Sequence, residues 1–112
     1  MTNILSFSEQ YLNHIRATLE NLPLGNLVRA IELLKEVLES EKCIFIAGNG
    51  GSAATASHMV NDLMKSVASD TSNGFRAIAL SDNVPLITAI ANDKSYDEVF
   101  ADQLTALYQK GD

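Results

Sequence analysis

The most reactive pairing in this chain is a histidine and an aspartate four residues apart, His58 and Asp62. On a helix, side chains with that spacing meet. An imidazole beside a carboxylate can offer two ligands to a divalent metal, or a base next to the group that orients it. At about 100° per residue Thr55 shares their face, and Val60, Leu63, Met64 and Val67 line the other. Taken alone, the pattern also suits a surface helix with a solvated polar face. Just upstream stand Gly48, Asn49, Gly50, Gly51 and Ser52. Glycines there let the chain turn sharply and bring its N–H groups near a ligand. Ser52 is expected to cap the next helix, whose free N–H groups and positive dipole end favour an anion such as phosphate. Farther on, Asn92-Asp93 is a short polar break whose residue types suit a turn and N-cap.

These groups need a strand, a turn and a helix to hold them. CIFIA at 43–47 reads as a strand buried on both faces, and the helix after the glycine turn spans about 52–68. SDTSNG at 69–74 is a loop, and FRAIAL at 75–80 is a second buried strand ending at Ser81-Asp82-Asn83. Pro85 opens a short helix to about 91. A last helix covers about 95–109 through Val99, Phe100, Leu104 and Leu107, with Tyr96, Asp97 and Glu98 at its start, where acids suit the dipole. Ahead of the first strand, Ser6 and Glu9 form a capping box for a helix near 7–21, with Phe7, Tyr11, Ile15, Leu19 and Leu22 at helical spacing. Pro23 and Gly25 break it, and a helix near 26–40 follows with Leu27, Ile31, Leu34 and Leu38 on one face.

Strands alternating with helices imply an α/β fold, a Rossmann-like (flavodoxin-like) parallel sheet with flanking helices and an N-terminal helical pair. Residues 1–41 are expected to serve oligomerisation, because their apolar stripes have few helices to cover, and 42–112 to form the sheet portion. Two strands make a poor sheet. The chain is therefore expected to be the N-terminal part of a larger domain, or to be completed by a partner.

The 112 residues carry a net charge of -6, and 46% are hydrophobic, enough for one packed core. No Lys/Arg cluster forms a nucleic-acid footprint. No run approaches the roughly 20 apolar residues of a membrane span, and the N-terminus lacks a signal-peptide pattern. A cytoplasmic protein is the expectation. Cys43, the single cysteine, reads as a reduced core residue. His14, between core positions of the first helix and without an acidic partner, reads as structural or surface. Gly48, Gly50 and Ala53 also satisfy the dinucleotide fingerprint. Its acidic partner is poorly supplied: Asp82 ends the second strand but comes late, and Asp70 has better spacing but sits in a loop.

GNGGSAATASH at 48–58, AIALSDN at 77–83 and AIANDKSYDEVFADQL at 89–104 resemble the sugar isomerase (SIS) domain, closest to its phosphoheptose isomerase branch. The resemblance covers nearly the whole chain. It implies isomerisation of sedoheptulose 7-phosphate to D-glycero-D-manno-heptose 7-phosphate in a cytoplasmic homotetramer with active sites shared between subunits. By the same resemblance Asn49, Gly50, Gly51 and Ser52 line the substrate site, and Asn92 and Asp93 touch the substrate. His58 and Asp62 are the catalytic residues and, in members that carry zinc, the metal ligands.

Two departures accompany it. Asp62 stands where the family has a glutamate, one methylene longer, and a displacement on the order of 1 Å can cost about a hundredfold in rate. The chain also ends before the family's Ser/Thr-rich phosphate loop and its C-terminal glutamine and histidine, so a complete active site is not expected within these residues. The alternative implied by the resemblance is a non-catalytic SIS module of the DnaA initiator-associating type, which binds a phosphosugar or a protein. A dinucleotide binder ranks third.

Overall fold

The structure, a computed structural model, describes residues 3–67 and 73–112. Residues 69–72 of the expected loop at 69–74, and Asp70 with them, lie outside the described residues. Two compact units are distinguished: the first ends at Leu33, and the second is Leu34–Asp112.

In the first unit, α1 covers Ile4–Glu20. Its N-cap is Asn3, whose side chain accepts a hydrogen bond from the Leu5 amide. This corrects the Ser6–Glu9 capping box, because Asn3 starts the helix a turn earlier and leaves Ser6 inside it. The Asn21 carboxamide closes the other end by donating to Ala17 O at 2.7 Å. α2, Leu24–Glu39, follows Pro23, whose carbonyl accepts from the amides of Asn26 and Leu27. Neither helix buries a residue. Phe7 stacks on Tyr11 with ring centroids 6.5 Å apart, yet both stay more than half exposed, as do Leu12 and Leu19.

The second unit holds the core. α2 ends in a tight reversal: Lys42 N donates to Val37 O, Glu41 N donates to Leu38 O, and Glu41 takes a left-handed φ of 55°. These bonds form the six-to-one and five-to-two pattern that satisfies the last carbonyls of a helix. β1, Cys43–Ile46, then pairs in parallel with β2, Arg76–Ala79, in the register Cys43↔Arg76 to Ile46↔Ala79. The crossover runs through α3, Gly51–Asn61, and a wide π-helical turn, Asp62–Ser66. Val60, Leu63, Phe75, Ala77 and Ala79 form the buried cluster, with Leu34, Leu38, Ile44 and Ile46 packed against it.

Three expectations about burial are corrected. β2 is not buried on both faces: Ala77 and Ala79 point into the core, whereas Arg76 and Ile78 are exposed, the period-two alternation of a half-covered strand. β1 buries only Cys43 fully and keeps the rest of the strand half-buried. On the crossover, Val60 and Leu63 are buried but Met64 and Val67 are 52% and 42% exposed. The π turn is the reason. Val67 N donates to Asp62 O, five residues back, so an extra residue per turn shifts the later positions out of phase with the apolar stripe.

After β2, the Asn83 side chain caps α4, Val84–Asp93, by accepting from Leu86 N. A 3-10 turn, Tyr96–Glu98, and a short α5, Ala101–Leu107, replace the single expected helix. Gln103 ties this block to the sheet. Its buried carboxamide donates to Leu80 O at 3.0 Å and to Val99 O at 2.7 Å. Lys94 Nζ lies 2.5 Å from Asp102 Oδ2, and that hydrogen bond holds the ammonium above the ordinary lysine range. No helix among the described residues is long and apolar enough to cross a membrane.

Candidate functional site

The carboxyl ends of parallel strands are where open α/β sheets place their ligands. Here both strand ends feed the glycine-rich turn. Gly48 N donates to Ser81 Oγ at 3.2 Å, and the same hydroxyl donates to Gly48 O at 2.8 Å. Gly48 and Ser81 continue the strand register two residues past Ile46 and Ala79, so the serine clamps the turn to the strand beside it. A Cβ on Gly48 would lie 2.5 Å from Ser52 O, which leaves glycine as the residue that fits. Gly50 adopts φ 54° and ψ -122°, a conformation side chains rarely tolerate, and serves as the N-cap of α3.

α3 therefore begins at Gly51, and Ser52 lies inside its first turn. The expectation that Ser52 caps the helix is overturned: no side-chain hydrogen bond is made at the cap. The turn through Gly50 closes the helix earlier, with the amides of Ser52 and Ala53 donating to Asn49 O at 2.9 and 3.4 Å. Those amides are spent. The backbone N–H groups of Asn49, Gly50 and Gly51 have no partner among the described residues, nor does the Ser52 hydroxyl. Three donors and a hydroxyl at the head of a helix suit an acceptor-rich ligand.

Farther along α3, Thr55, His58 and Asp62 share the exposed face while Ala56 and Val60 are buried, as the wheel predicts. His58 Nε2 lies 3.5 Å from Asp62 Oδ2, with side chains 74% and 55% exposed. Thr55 is occupied, its hydroxyl donating to Gly51 O. Asp62 begins the π turn, so its carboxylate stands where the helix widens. At 1.5 Å per residue, His58 is roughly 9 Å along the axis from Ser52. An imidazole nitrogen and a carboxylate oxygen suit zinc chemically but supply two of its usual four ligands. Among the described residues no group of three or more His, Cys, Asp and Glu could hold a metal ion.

Asn92 and Asp93 are the last two residues of α4, with Asn92 Nδ2 donating to Asp93 Oδ1 at 2.9 Å. The expected break at this pair is corrected. The helix runs through it, its Asn83 cap and Pro85 start carrying it to Asp93, and the chain leaves helical geometry at Lys94. The turn that follows reaches the glycine loop, where Tyr96 Oη donates to Asn49 Oδ1 at 2.7 Å. The structure thus joins His58 to Asp62, Asn92 to Asp93, and Asn49 to Tyr96.

Of the remaining candidates, Asp82 accepts from the Ser57 hydroxyl on α3, a contact that holds the second strand end to the helix. His14 is exposed on α1. Cys43 is a buried free cysteine; burial pushes its thiol up, and the nearby Asp112 carboxylate adds to the effect. Two residues that the sequence reading placed only as structural, Ser81 at the end of the second strand and Tyr96 at the start of the last helix, shape the loop. Ser81 was accessible through the parallel register, since the positions two past each strand end lie side by side. Tyr96 has no local cue, being 47 residues from its partner.

Comparison with known proteins agrees with this geometry. The SIS domain model matches residues 10–112. The phosphoheptose isomerase of Helicobacter pylori (strain P12) is 40% identical over 107 residues, covering 93% of this chain and 55% of that protein. The phosphoheptose isomerase of Shewanella denitrificans is 42% identical over 107 residues, covering 96% and 53%. The chain spans about half the length of the curated relatives it matches. A solved phosphoheptose isomerase from Neisseria gonorrhoeae superposes with a TM-score of 0.77 at 32% identity, covering 96% of this chain and 55% of that one. One from Francisella tularensis gives 0.81 at 28% identity, covering 96% and 56%. The two-stranded sheet is accordingly part of a larger α/β domain. The glycine-rich turn, the parallel strands that carry it and the family match together place this chain in the SIS domain family.

Proposed function

We propose that this chain binds a phosphorylated sugar and contributes to its aldose–ketose isomerisation, as part of a phosphoheptose isomerase acting on sedoheptulose 7-phosphate. The observation that carries this reading is the row of donors without a partner among the described residues at the carboxyl end of β1: the amides of Asn49, Gly50 and Gly51, with the Ser52 hydroxyl beside them. The names of its relatives support the substrate class.

Isomerisation moves a proton between adjacent carbons through an enediol. Asp62 is the proposed base that takes the proton. His58, 3.5 Å away, orients the carboxylate and restrains its rotation. Asn92 and Asp93, tied to each other, offer a carboxylate and an amide to sugar hydroxyls. The amides of the glycine turn hold oxygens of the bound sugar, so that the reacting carbons are presented to Asp62 in a fixed pose. If zinc is used, His58 and Asp62 would hold it with ligands beyond this pair, and it would polarise a substrate oxygen. The protein is proposed to work in the cytoplasm as a homotetramer built through its N-terminal helices.

The test is incubation with sedoheptulose 7-phosphate, with and without zinc, followed by detection of the aldose. Absence of product at high protein concentration counts against catalysis. A second reading, a non-catalytic module of the DnaA initiator-associating type, is favoured by the short Asp62 side chain in place of glutamate. Asp62→Glu separates the two. A gain in turnover of tenfold or more, within the range about 1 Å of reach commands, supports the enzyme. An unchanged zero rate with phosphosugar binding intact supports the binding module.

A further inference from the structure

Tyr96 lies within the 89–104 motif but is given no role there, yet its phenol is 2.7 Å from Oδ1 of Asn49. Oδ1 carries no hydrogen, so the phenol donates. A carboxamide whose oxygen is engaged on one side turns its NH2 to the other. Asn49 Nδ2 has no partner among the described residues, and its own backbone N–H is also unspent. The geometry points to Tyr96 as a positioning residue, which locks the Asn49 carboxamide so that donors, and no acceptor, face the ligand of the glycine turn.

This deepens the phosphosugar reading and rests on it. Without the phenol, the exposed carboxamide is free to rotate, and half of its flat orientations would present oxygen toward an oxygen-rich ligand. With it, Asn49 offers side-chain and backbone donors from one residue, continuous with the amides of Gly50 and Gly51. The preferred partner is therefore an acceptor oxygen, from a phosphoryl, carbonyl or hydroxyl lone pair. Tyr96 also follows Asn92-Asp93 by three residues, so the same bond ties the 3-10 turn after α4 to the glycine turn.

The alternative is a staple that merely joins two loops. Five forms of the intact protein separate these roles: wild type, Tyr96→Phe, Asn49→Asp, Asn49→Ala and the double variant Tyr96→Phe/Asn49→Ala. Each is titrated with sedoheptulose 7-phosphate by calorimetry, with thermal unfolding as the control for folding. Tyr96→Phe keeps the ring and removes one neutral hydrogen bond, so affinity is expected to fall roughly three- to tenfold. In the Asn49→Ala background the same change is expected to have no effect. Asn49→Asp keeps an acceptor for Tyr96 but removes the donors, so it should retain its unfolding temperature and lose binding. Unchanged affinity in Tyr96→Phe, an equal loss in the Asn49→Ala background, or wild-type binding by Asn49→Asp would each overturn the assignment.

If the wild type itself does not bind, the phosphosugar reading fails, and the positioning role is decided by the Asn49 side-chain amide signals in a 15N-labelled sample. Signals shifted in Tyr96→Phe support the lock, and signals identical to wild type overturn it.

Discussion

A methyl group at position 48 would lie 2.5 Å from the Ser52 carbonyl oxygen and 2.8 Å from its Cβ. Neither can move freely, because Ser52 is already held in the first turn of α3 and Gly48 is clamped from both sides by Ser81. Gly48→Ala should therefore cost about 1–3 kcal/mol, the usual scale of overpacking, and weaken phosphosugar binding by displacing the unspent amides. Urea denaturation and a calorimetric titration of the variant check both halves. Asp112 offers a pH test at the same scale. Its carboxylate accepts from the backbone amides of Cys43 and Gln109, and these bonds hold it below the usual aspartate range. A depressed folded pKa means that the contribution is present above the unfolded value. It is lost as pH falls through the folded one. The Cys43 amide should thus stay protected from hydrogen exchange near neutrality and lose protection only in acid, below about pH 4. Unchanged protection through that range would show that the contact does not hold the strand.

Among the elements, the end of α2 carries a residue in an unfavourable conformation. Glu41 occupies the left-handed position that glycine usually fills after a helix, with φ 55°. Its useful contact is made by its backbone, since Arg76 donates to its carbonyl at 2.9 Å. Glu41→Gly removes the strain and keeps that bond. It is expected to stabilise the protein by about 0.5–1 kcal/mol after the entropy that glycine adds to the unfolded chain. A higher urea midpoint at unchanged slope is the expected result. The π turn at Asp62–Ser66 has the opposite character, since it gives up packing by turning Met64 and Val67 outward. It begins at the residue proposed as base, which is consistent with the frequent placement of such turns at working sites.

At the scale of the molecule, the telling feature is the number of large apolar side chains that the first unit, taken by itself, leaves exposed. Leu5, Phe7, Tyr11, Leu12, Leu19, Val28 and Ile31 are all at least half exposed. Burying such side chains stabilises by about 1.5–3 kcal/mol each, so a second copy is the proposed cover. Light scattering should report a mass above that of a single chain, and a monomer would refute oligomerisation through these helices. Much of the architecture was legible beforehand. The 3.6-residue spacing located α1, α2 and α3, and two apolar runs located β1 and β2. The i,i+4 spacing alone put His58 beside Asp62, because helix geometry is local. The resemblance of three short motifs pointed to the SIS family that the comparisons show. What stayed hidden depended on contacts between distant residues or on competition among nearby caps. Gly50 displaced Ser52 as the cap because the turn spent the Ser52 and Ala53 amides on Asn49. Met64 and Val67 left the core because one wide turn changed the helical phase. By itself the sequence determined the periodic elements and the donors on each of them, since both follow from neighbours along the chain. Only the tertiary structure decided which donors remain unspent and that Tyr96 grips Asn49, because those depend on how parallel strands align their ends and bring a later turn against the glycine loop.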